Sequence, residues 1–204
     1  MHSSFDRIAK LYDSLARFIF SNRLIESQIS TIEQIAPDSN VLVLGGGTGE
    51  ILFNFHDSND VVFVEKSERM LSLAKRRVCS SRVSFYHSDF LRWETPDKFD
   101  YIFCPFFLDL FSEDDLQIIF DKIRVCSKEN TKLLIVDFNG SSSNLFHKLV
   151  LKLMYLFFYC IGAINIFSYN GFWELLDKEF SLDTNAIINS KAFVISKVFR
   201  VNPE

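Results

Sequence analysis

The sequence has few of the residues that build disulfide, zinc or nucleic-acid-binding proteins. Its four cysteines lie far apart in 204 residues, and no two of them form a C-x-x-C pair. This spacing excludes a disulfide or zinc framework and predicts reduced, mostly buried thiols. With 22 basic residues against 26 acidic ones the net charge is −4. The charge balance therefore gives no indication of a nucleic-acid partner.

The sequence also lacks the segments that are typical of export or of several domains. Residues 1–7 contain no apolar signal core, so the sequence predicts a cytoplasmic protein. No internal repeat, low-complexity tract or linker interrupts the chain. Because 48% of the residues are hydrophobic, the chain has enough apolar material for one full core. A single domain over residues 1–204 is expected.

Four of the seven glycines lie together, directly after an apolar run. Residues 41–44 read V-L-V-L, which is typical of a strand buried on both faces, and glycine follows four times within residues 45–49. Residues 50–55 return to a helix-forming, largely apolar composition. A strand, a glycine turn and a helix in this order bring bare backbone and a positive helix end against a ligand. Glu65 ends the next apolar run, where its carboxylate can accept hydrogen bonds from both ribose hydroxyls of a nucleoside.

The spacing of the glycines separates two kinds of nucleoside cofactor. The dinucleotide fingerprint G-x-G-x-x-G requires glycine at position 50, where this sequence has Glu50. A carboxylate there would repel a pyrophosphate, whereas S-adenosylmethionine (SAM) carries a sulfonium and no phosphate. The sequence instead reads G-x-G-x-G through Gly45, Gly47 and Gly49. The pattern therefore favours SAM over a dinucleotide.

These residues carry a resemblance to a known family. Residues 41–50 with Glu65 are similar to motif I and the following acid of class I SAM-dependent methyltransferases. Residues 5–13 are similar to the F-D-x-I-A-x-x-Y-D opening of the ubiquinone and menaquinone biosynthesis type. One departure is Val43, because the family commonly has an acid two positions before its first glycine, which helps to hold the methionine end of SAM.

The resemblance implies an α/β fold with a Rossmann-like, doubly wound, seven-stranded sheet whose last strand is antiparallel. The end of the chain agrees with this topology, since residues 180–188 and 192–199 are predicted as two strands joined by a turn at 189–191. A terminal antiparallel hairpin on a parallel sheet distinguishes the methyltransferase architecture from the dinucleotide one. N-terminal helices and a helical cap complete the expected fold.

The resemblance also implies roles for individual residues. Asp89 follows the third predicted strand, where the family has an acid that accepts a hydrogen bond from the adenine amino group, and Phe90 would flank the adenine ring. For Asp89 a helix or turn cap is the alternative. Tyr12 lies in residues 1–36, a predicted helical lid over SAM, for which a plain amphipathic helix at the sheet edge is the alternative. The implied cofactor-binding residues are Gly45, Gly47, Gly49, Glu65, Asp89, Phe90 and Tyr12.

A strongly apolar segment precedes the predicted hairpin. Residues 145–167 are nearly as long as the ~20 apolar residues of a membrane span, but two lysines, a glycine and an asparagine interrupt them. A spanning helix is therefore disfavoured. The remaining interpretations are a buried helix, a dimer-forming helix, or an apolar cap over an acceptor pocket within residues 141–170. Contact with a membrane surface and a homodimer are both left open.

These patterns together predict a SAM-dependent methyltransferase. Methyl transfer from SAM needs alignment and exclusion of water more than a fixed triad or a metal site, and the sequence contains neither. The Pro105-Phe106-Phe107 triplet at the end of the fourth predicted strand and the apolar segment predict a small hydrophobic acceptor that is phenol-, quinone- or lipid-like. No catalytic base is identified. The alternative function, which Val43 favours, is a SAM- or nucleoside-binding regulatory or partner protein without turnover.

Overall fold

The computed structural model describes residues 22–78, 82–139, 145–160, 171–184, 189–191 and 193–202. The strands are β1 (Asn40–Leu44), β2 (Asp60–Glu65), β3 (Val83–His87), β4 (Phe99–Pro105), β5 (Ser127–Phe138), β6 (Ser181–Leu182), β7 (Asn189–Lys191) and β8 (Val194–Arg200). The α-helices are α1 (Arg23–Ile32), α2 (Glu68–Arg77), α3 (Glu113–Val125), α4 (Leu145–Cys160) and α5 (Phe172–Glu179). Two 3₁₀ turns lie at Glu50–Asn54 and Leu108–Leu110.

All described strands belong to one sheet, in the order β3-β2-β1-β4-β5-β8 with β6 and β7 outside β8. Strands β1 to β5 run parallel, and β8 runs antiparallel to β5. The outer edge of β8 pairs with β6 at one end, along Phe199 and Arg200, and with β7 at the other, along residues 194–196. The two short strands therefore share one position in the sheet. The predicted seven positions with an antiparallel last strand are confirmed.

The sheet is buried on both faces, which explains the unbroken apolar run of β1. Leu42 and Leu44 face one core, with α3 and α5 packed over it. Val41 and Val43 face the second core, which α1, α2 and α4 cover. Because both faces are covered, every β1 side chain from position 41 onward is apolar and buried. The architecture is a three-layer α/β/α sandwich.

Two of the helices begin at a serine, a residue that is preferred at the N-cap position. The hydroxyl of Ser67 accepts a hydrogen bond from the Met70 backbone N–H at the start of α2, and Ser112 accepts one from Asp115 at the start of α3. Such caps satisfy N–H groups that the first helical turn leaves unpaired. The buried face of α3 follows helical spacing, as predicted. Its four fully buried residues are Leu116, Ile119, Phe120 and Ile123.

The segment after the glycine loop is a short 3₁₀ turn, Glu50–Asn54, and not the predicted helix. Gly49 precedes it with φ of 72° and provides no side-chain cap. The Asn59 N–H then bonds to the His56 carbonyl in a tight turn, and β2 starts at Asp60. A 3₁₀ turn thus replaces the predicted α-helix, and the glycine loop presents its backbone to a ligand without the positive end of an α-helix behind it.

The end of the chain differs from the prediction in the position of its turn. Residues 189–191, predicted as the turn, form β7, and Lys191 pairs with Val194. Backbone pairing with β8 outweighs the turn preference of asparagine and serine at this edge. Of the strand predicted over 180–188, the described residues contain the short β6, and residues 185–188 lie outside them.

The apolar and N-terminal segments contribute one layer of the sandwich. Helix α1 packs against β8, with Ile32 and Ile35 in the core, so this half of the predicted lid covers the sheet. The predicted lid over residues 1–36 stays a prediction, and Tyr12 lies outside the described residues. Helix α4 buries Leu151 and Tyr155, as expected of a core helix. Among the described helices, none is long and apolar enough to cross a membrane.

Candidate active site

The candidate site lies at the edge of the sheet where the parallel strands end, called here the carboxyl edge. The glycine loop follows β1, Glu65 ends β2, Asp89 follows β3 and Phe106 follows β4. Because these strands are neighbours and run in one direction, their carboxyl ends meet at this edge. Ligands of open α/β sheets bind at the same edge, next to the strand order reversal.

The three glycines of the G-x-G-x-G pattern have left-handed backbone conformations, with φ of 68° at Gly45, 59° at Gly47 and 72° at Gly49. A Cβ atom on Gly45 would lie 2.6 Å from the Phe107 ring, and one on Gly49 would lie 2.7 Å from the Ala74 Cβ. Packing therefore requires glycine at both positions. At Gly47 the nearest atom in the described part of the chain is the Met70 sulfur at 3.8 Å. The space above Gly47 is open.

Glu65 is the residue that links the glycine loop to the next helix. Its carboxylate accepts a hydrogen bond from the Gly47 N–H at 3.1 Å and another from the Ser67 N–H at 2.7 Å. The side chain is only 8% exposed. Amide donors at this distance stabilise a buried carboxylate. Glu65 thus fixes the open part of the loop, a structural role that the sequence did not indicate. Its predicted ribose role stays a prediction.

Asp89 caps a turn, which was the alternative interpretation of this residue. One carboxylate oxygen accepts the Leu91 N–H at 3.1 Å, and the other lies 2.7 Å from the Lys66 ammonium. The side chain keeps 22% of its surface exposed at the carboxyl edge. The position thus agrees with a ligand contact, and the adenine role stays a prediction.

Phe90 lies in the core and has little surface left for a ligand. Its side chain is 3% exposed and packs against Trp93 and Phe107, with ring centroids 6.1 and 6.3 Å away. Protein side chains already cover much of its ring, and the predicted role beside an adenine ring stays a prediction.

A buried polar cluster beneath the carboxyl edge was missed by the sequence analysis. It consists of Asp109, Asp137 and Tyr155, each 2% exposed or less. The Tyr155 hydroxyl donates a hydrogen bond of 2.8 Å to Asp109 Oδ2. Asp137 Oδ1 accepts a hydrogen bond of 2.8 Å from the backbone N–H of Phe138. The available signal was a lone acid, Asp137, inside the apolar end of β5.

The two carboxyl groups of this cluster bind protons more tightly than isolated ones. Burial raises the pKa of Asp109 to about 6. Burial, and then the nearby charge of Asp109, raises the pKa of Asp137 well above its ordinary range. Asp109 Oδ1 and Asp137 Oδ2 are buried and have no hydrogen-bond partner in the described part of the chain. Ionising both groups costs more free energy than ionising one, so the pair retains a proton near neutral pH.

The loop after β4 has a strained backbone at the carboxyl edge. Phe106 has φ of 49°, which is unusual for a residue with a side chain. Its N–H donates to the Val136 carbonyl at 2.7 Å, and its half-buried ring lies 4.9 Å from the Phe138 ring. Backbone strain of this kind persists only where the surroundings enforce it, and it is common at ligand sites. At Phe106 the bond to Val136 and the contact with the Phe138 ring provide that enforcement.

The sheet order, with β8 antiparallel beside β5, is the order predicted for a methyltransferase architecture. Residues 41–130 match the sequence model of a family described as a methyltransferase domain. None of the curated proteins matches this chain in sequence.

Solved structures with a similar fold include several methyltransferases. A putative methyltransferase of Haloferax volcanii, in complex with the Trm112 methyltransferase activator, has a TM-score of 0.71 and 14% identity, and both chains are covered completely. The mitomycin 7-O-methyltransferase MmcR has a TM-score of 0.69 and 18% identity, with 98% of this chain and 61% of that chain covered. The N-methyltransferase NodS from Bradyrhizobium japonicum WM9, bound to S-adenosyl-L-homocysteine, has a TM-score of 0.64 and 16% identity, with 90% and 87% covered.

At these identities the structural likeness concerns the fold. The match over residues 41–130 and the shared fold agree with the predicted class, a SAM-dependent methyltransferase. The quinone-biosynthesis subfamily stays a prediction.

Proposed function

We propose that this chain transfers the methyl group of SAM to a small hydrophobic acceptor, such as a phenol, a quinone-like molecule or a lipid-like molecule. The observation that carries this proposal is the aromatic wall at the carboxyl edge. Phe106 and Phe138 pack together there, and Phe107 lies against Gly45 of the glycine loop. An acceptor beside this wall would lie next to the loop that is proposed to hold SAM.

The residues on the cofactor side fit SAM in three respects. Among the described residues other than Gly47 and its two chain neighbours, no atom lies closer than 3.8 Å to a Cβ position at Gly47, so a ligand can approach the backbone closely there. Glu65 is proposed to accept the ribose hydroxyls, since its carboxylate ends β2 directly beside the glycine loop. Asp89 is proposed to accept the adenine amino group. SAM, when bound, provides an activated methyl group on a sulfonium that is already a good leaving group.

The methionine end of SAM needs a different partner from the one that is common in the family. Val43 occupies the position of the usual acid, and its side chain is fully buried in the second core. It therefore contributes packing and no polar contact. The backbone of the glycine loop is the remaining polar surface at this end of β1.

On the acceptor side, the proposed wall selects for an apolar body. A polar group placed against phenylalanine rings loses its hydrogen bonds to water, at about 1–3 kcal/mol for each group. The Tyr155–Asp109 pair lies buried under this wall, where it positions the loop after β4 and holds it in its strained form. Its two residues are positioning residues, because both are covered by protein.

The test combines binding and turnover with the purified chain. Calorimetry measures SAM affinity, and release of S-adenosylhomocysteine measures transfer to a panel of phenols, quinone precursors and lipids. Hydrophilic metabolites of similar size form the control panel. Release with hydrophobic acceptors supports the proposal, and release with hydrophilic ones alone contradicts it.

Val43 departs from the family pattern and favours a second function. It is a SAM-binding partner protein without turnover, and one structural neighbour is itself described in complex with an activator. Tight SAM binding without S-adenosylhomocysteine release from any acceptor supports this second function. Turnover by the purified chain excludes it.

A further inference from the structure

Helix α4 exposes a stripe of leucines along its outer face. Four residues with helical spacing form the leucine stripe, and their exposed fractions are 81% for Leu145, 54% for Leu149, 55% for Leu153 and 38% for Leu156. Residues three and four apart lie on the same side of a helix, so the stripe is continuous. Scattered exposed apolar residues are ordinary, but a contiguous apolar patch marks an interaction surface.

The charged residues of helix α4 are all lysines. Residues 145–160 contain two lysines and no aspartate or glutamate, although the whole chain has a net charge of −4. Lys148 and Lys152 are both exposed, and they lie one turn apart on the side of α4 that carries the stripe. A lysine can extend its ammonium to the surface while its stem lies along apolar groups. The helix thus combines apolar residues with nearby lysines and has no acidic residue. This combination complements a surface that has anionic groups outside and an apolar interior.

The opposite face of α4 fixes this orientation. Leu151 and Tyr155 are buried, and the Tyr155 hydroxyl bonds to Asp109 after β4. The helix therefore cannot turn its leucine stripe inward without breaking a buried hydrogen bond. The same contact places α4 next to the carboxyl edge, where the proposed acceptor site lies.

We propose that the leucine stripe lies on an anionic membrane surface and that the acceptor enters the site from the lipid. With 16 residues, α4 is shorter than the ~20 needed to span a bilayer. A helix with an apolar face and flanking lysines instead lies in the plane of the interface. Entry of the acceptor from the lipid rests on the proposed function, whereas membrane binding itself does not.

Vesicle flotation with the full chain tests the proposal. The probes are phosphatidylcholine vesicles with and without phosphatidylglycerol. Binding is expected to the anionic vesicles and to fall with salt, because each lysine near such a surface contributes about a fivefold change in partitioning. Replacing Lys148 and Lys152 together by glutamine should remove the preference for phosphatidylglycerol.

Replacement of the leucines tests the apolar contact. The double variant Leu149→Gln/Leu153→Gln should lower vesicle binding about tenfold or more, since each leucine loses its burial in lipid. Both side chains are more than half exposed, so the fold is expected to tolerate the change. The matched control is Ile118→Gln on α3, where an isoleucine is 49% exposed away from the stripe. This control should bind vesicles like the unchanged chain.

A spectroscopic readout shows which face touches lipid. Cys160 is exposed at the end of α4, whereas Cys104 and Cys126 are buried. In a Cys79→Ser background, a polarity-sensitive dye on Cys160 should shift to the blue on anionic vesicles. An unshifted dye with no flotation overturns the proposal. A stable dimer in light scattering that Leu149→Gln/Leu153→Gln converts to monomer, without vesicle binding, also overturns it and assigns the stripe to a second copy.

The outcomes separate membrane binding from methyl transfer. If transfer to a detergent-dissolved acceptor occurs but vesicles are not bound, the membrane proposal fails and the proposed function stands. If vesicles are bound and no acceptor is methylated, the proposed function fails and the surface assignment stands. The leucine variant should keep its transfer rate in detergent and lose it when the acceptor is supplied in anionic vesicles.

Discussion

Tyr155 donates a hydrogen bond of 2.8 Å to Asp109, which lies 46 positions earlier in the chain. The bond joins the apolar helix α4 to the loop that follows β4, and both side chains are buried. Burial, and then the nearby charge of Asp109, raises the pKa of Asp137 at the end of β5. Two buried carboxyl groups therefore lie beneath the carboxyl edge, and ionising both of them costs much free energy.

The first prediction concerns the pH dependence of stability. The folded-state pKa of Asp109 is raised to about 6, above its unfolded value, so the folded chain binds the proton more tightly. The free energy of unfolding should therefore fall as pH rises from about 4 to about 6, by roughly 1–3 kcal/mol from this group. Asp109→Asn should remove that dependence and be more stable than the unchanged chain at about pH 8. Urea unfolding across the pH range measures both effects.

The control for this prediction is an exposed acid. Asp121, whose side chain is 65% exposed, pairs with Arg124 on the surface of α3. Asp121→Asn should follow the pH profile of the unchanged chain. Identical profiles for Asp109→Asn and Asp121→Asn would show that Asp109 does not titrate in this window. Tyr155→Phe, which removes the donor to Asp109, should lower stability by about 1–3 kcal/mol above pH 6.

The second prediction separates the glycines of the loop. Gly47 and Gly49 have similar positive φ angles, so alanine at either costs roughly 1–2 kcal/mol in backbone strain. Only at Gly49 would the new Cβ collide with protein, at 2.7 Å from Ala74. Gly49→Ala should therefore lower the melting temperature more, and Gly47→Ala should weaken SAM binding more, by at least about tenfold. Calorimetry and thermal unfolding of both variants check the pair. The reverse order would remove Gly47 from the cofactor site.

Several elements of the fold could be predicted from a few adjacent residues. The apolar run of β1, the glycines after it and the capping serines Ser67 and Ser112 all encode their structure within a few residues, and the structure confirms them. The 3₁₀ turn at Glu50–Asn54 was not predicted, because the composition of residues 50–55 is also compatible with an α-helix.

The candidate site could be predicted only in part, for the same reason. Loop position and strand ends placed Gly47 and Glu65 correctly at the carboxyl edge. The burial of Phe90 was not predicted, because it depends on Phe107 and Trp93, which do not adjoin Phe90 in sequence. The pairing of Asp109 with Tyr155 joins distant segments, and no local pattern reports such a contact.

The third prediction tests the ribose role of Glu65 against its structural role. Glu65→Ala should weaken SAM binding by roughly 1.5–3 kcal/mol through lost charge-assisted hydrogen bonds. It should also destabilise the fold, since the N–H groups of Gly47 and Ser67 lose their acceptor. Glu65→Gln retains one carbonyl oxygen and should fold better while still binding SAM weakly. Titration calorimetry with urea unfolding resolves the two effects.

Ser67→Ala is the matched control for Glu65. Its hydroxyl caps α2 by accepting the Met70 N–H at 3.2 Å, close to Glu65 but without a proposed contact to SAM. The variant should lose about 1 kcal/mol of stability and keep its SAM affinity. If Ser67→Ala and Glu65→Gln lose SAM binding equally, the effect of Glu65 is structural and the ribose assignment fails.

The last prediction concerns the acceptor. Phe106 has a half-buried ring at the carboxyl edge that packs on Phe138, whereas Phe107 is buried against the glycine loop. Phe106→Leu should raise the KM for a hydrophobic acceptor about three- to tenfold, because a wall of the proposed pocket loses aromatic area. The SAM affinity should stay unchanged, since this ring lies on the acceptor side. Phe53→Leu, on an exposed ring away from the strand-β4 loop, is the control and should change neither constant. Steady-state kinetics with S-adenosylhomocysteine release measures both, and a KM that is unchanged in Phe106→Leu while SAM binding weakens would place Phe106 on the cofactor side instead.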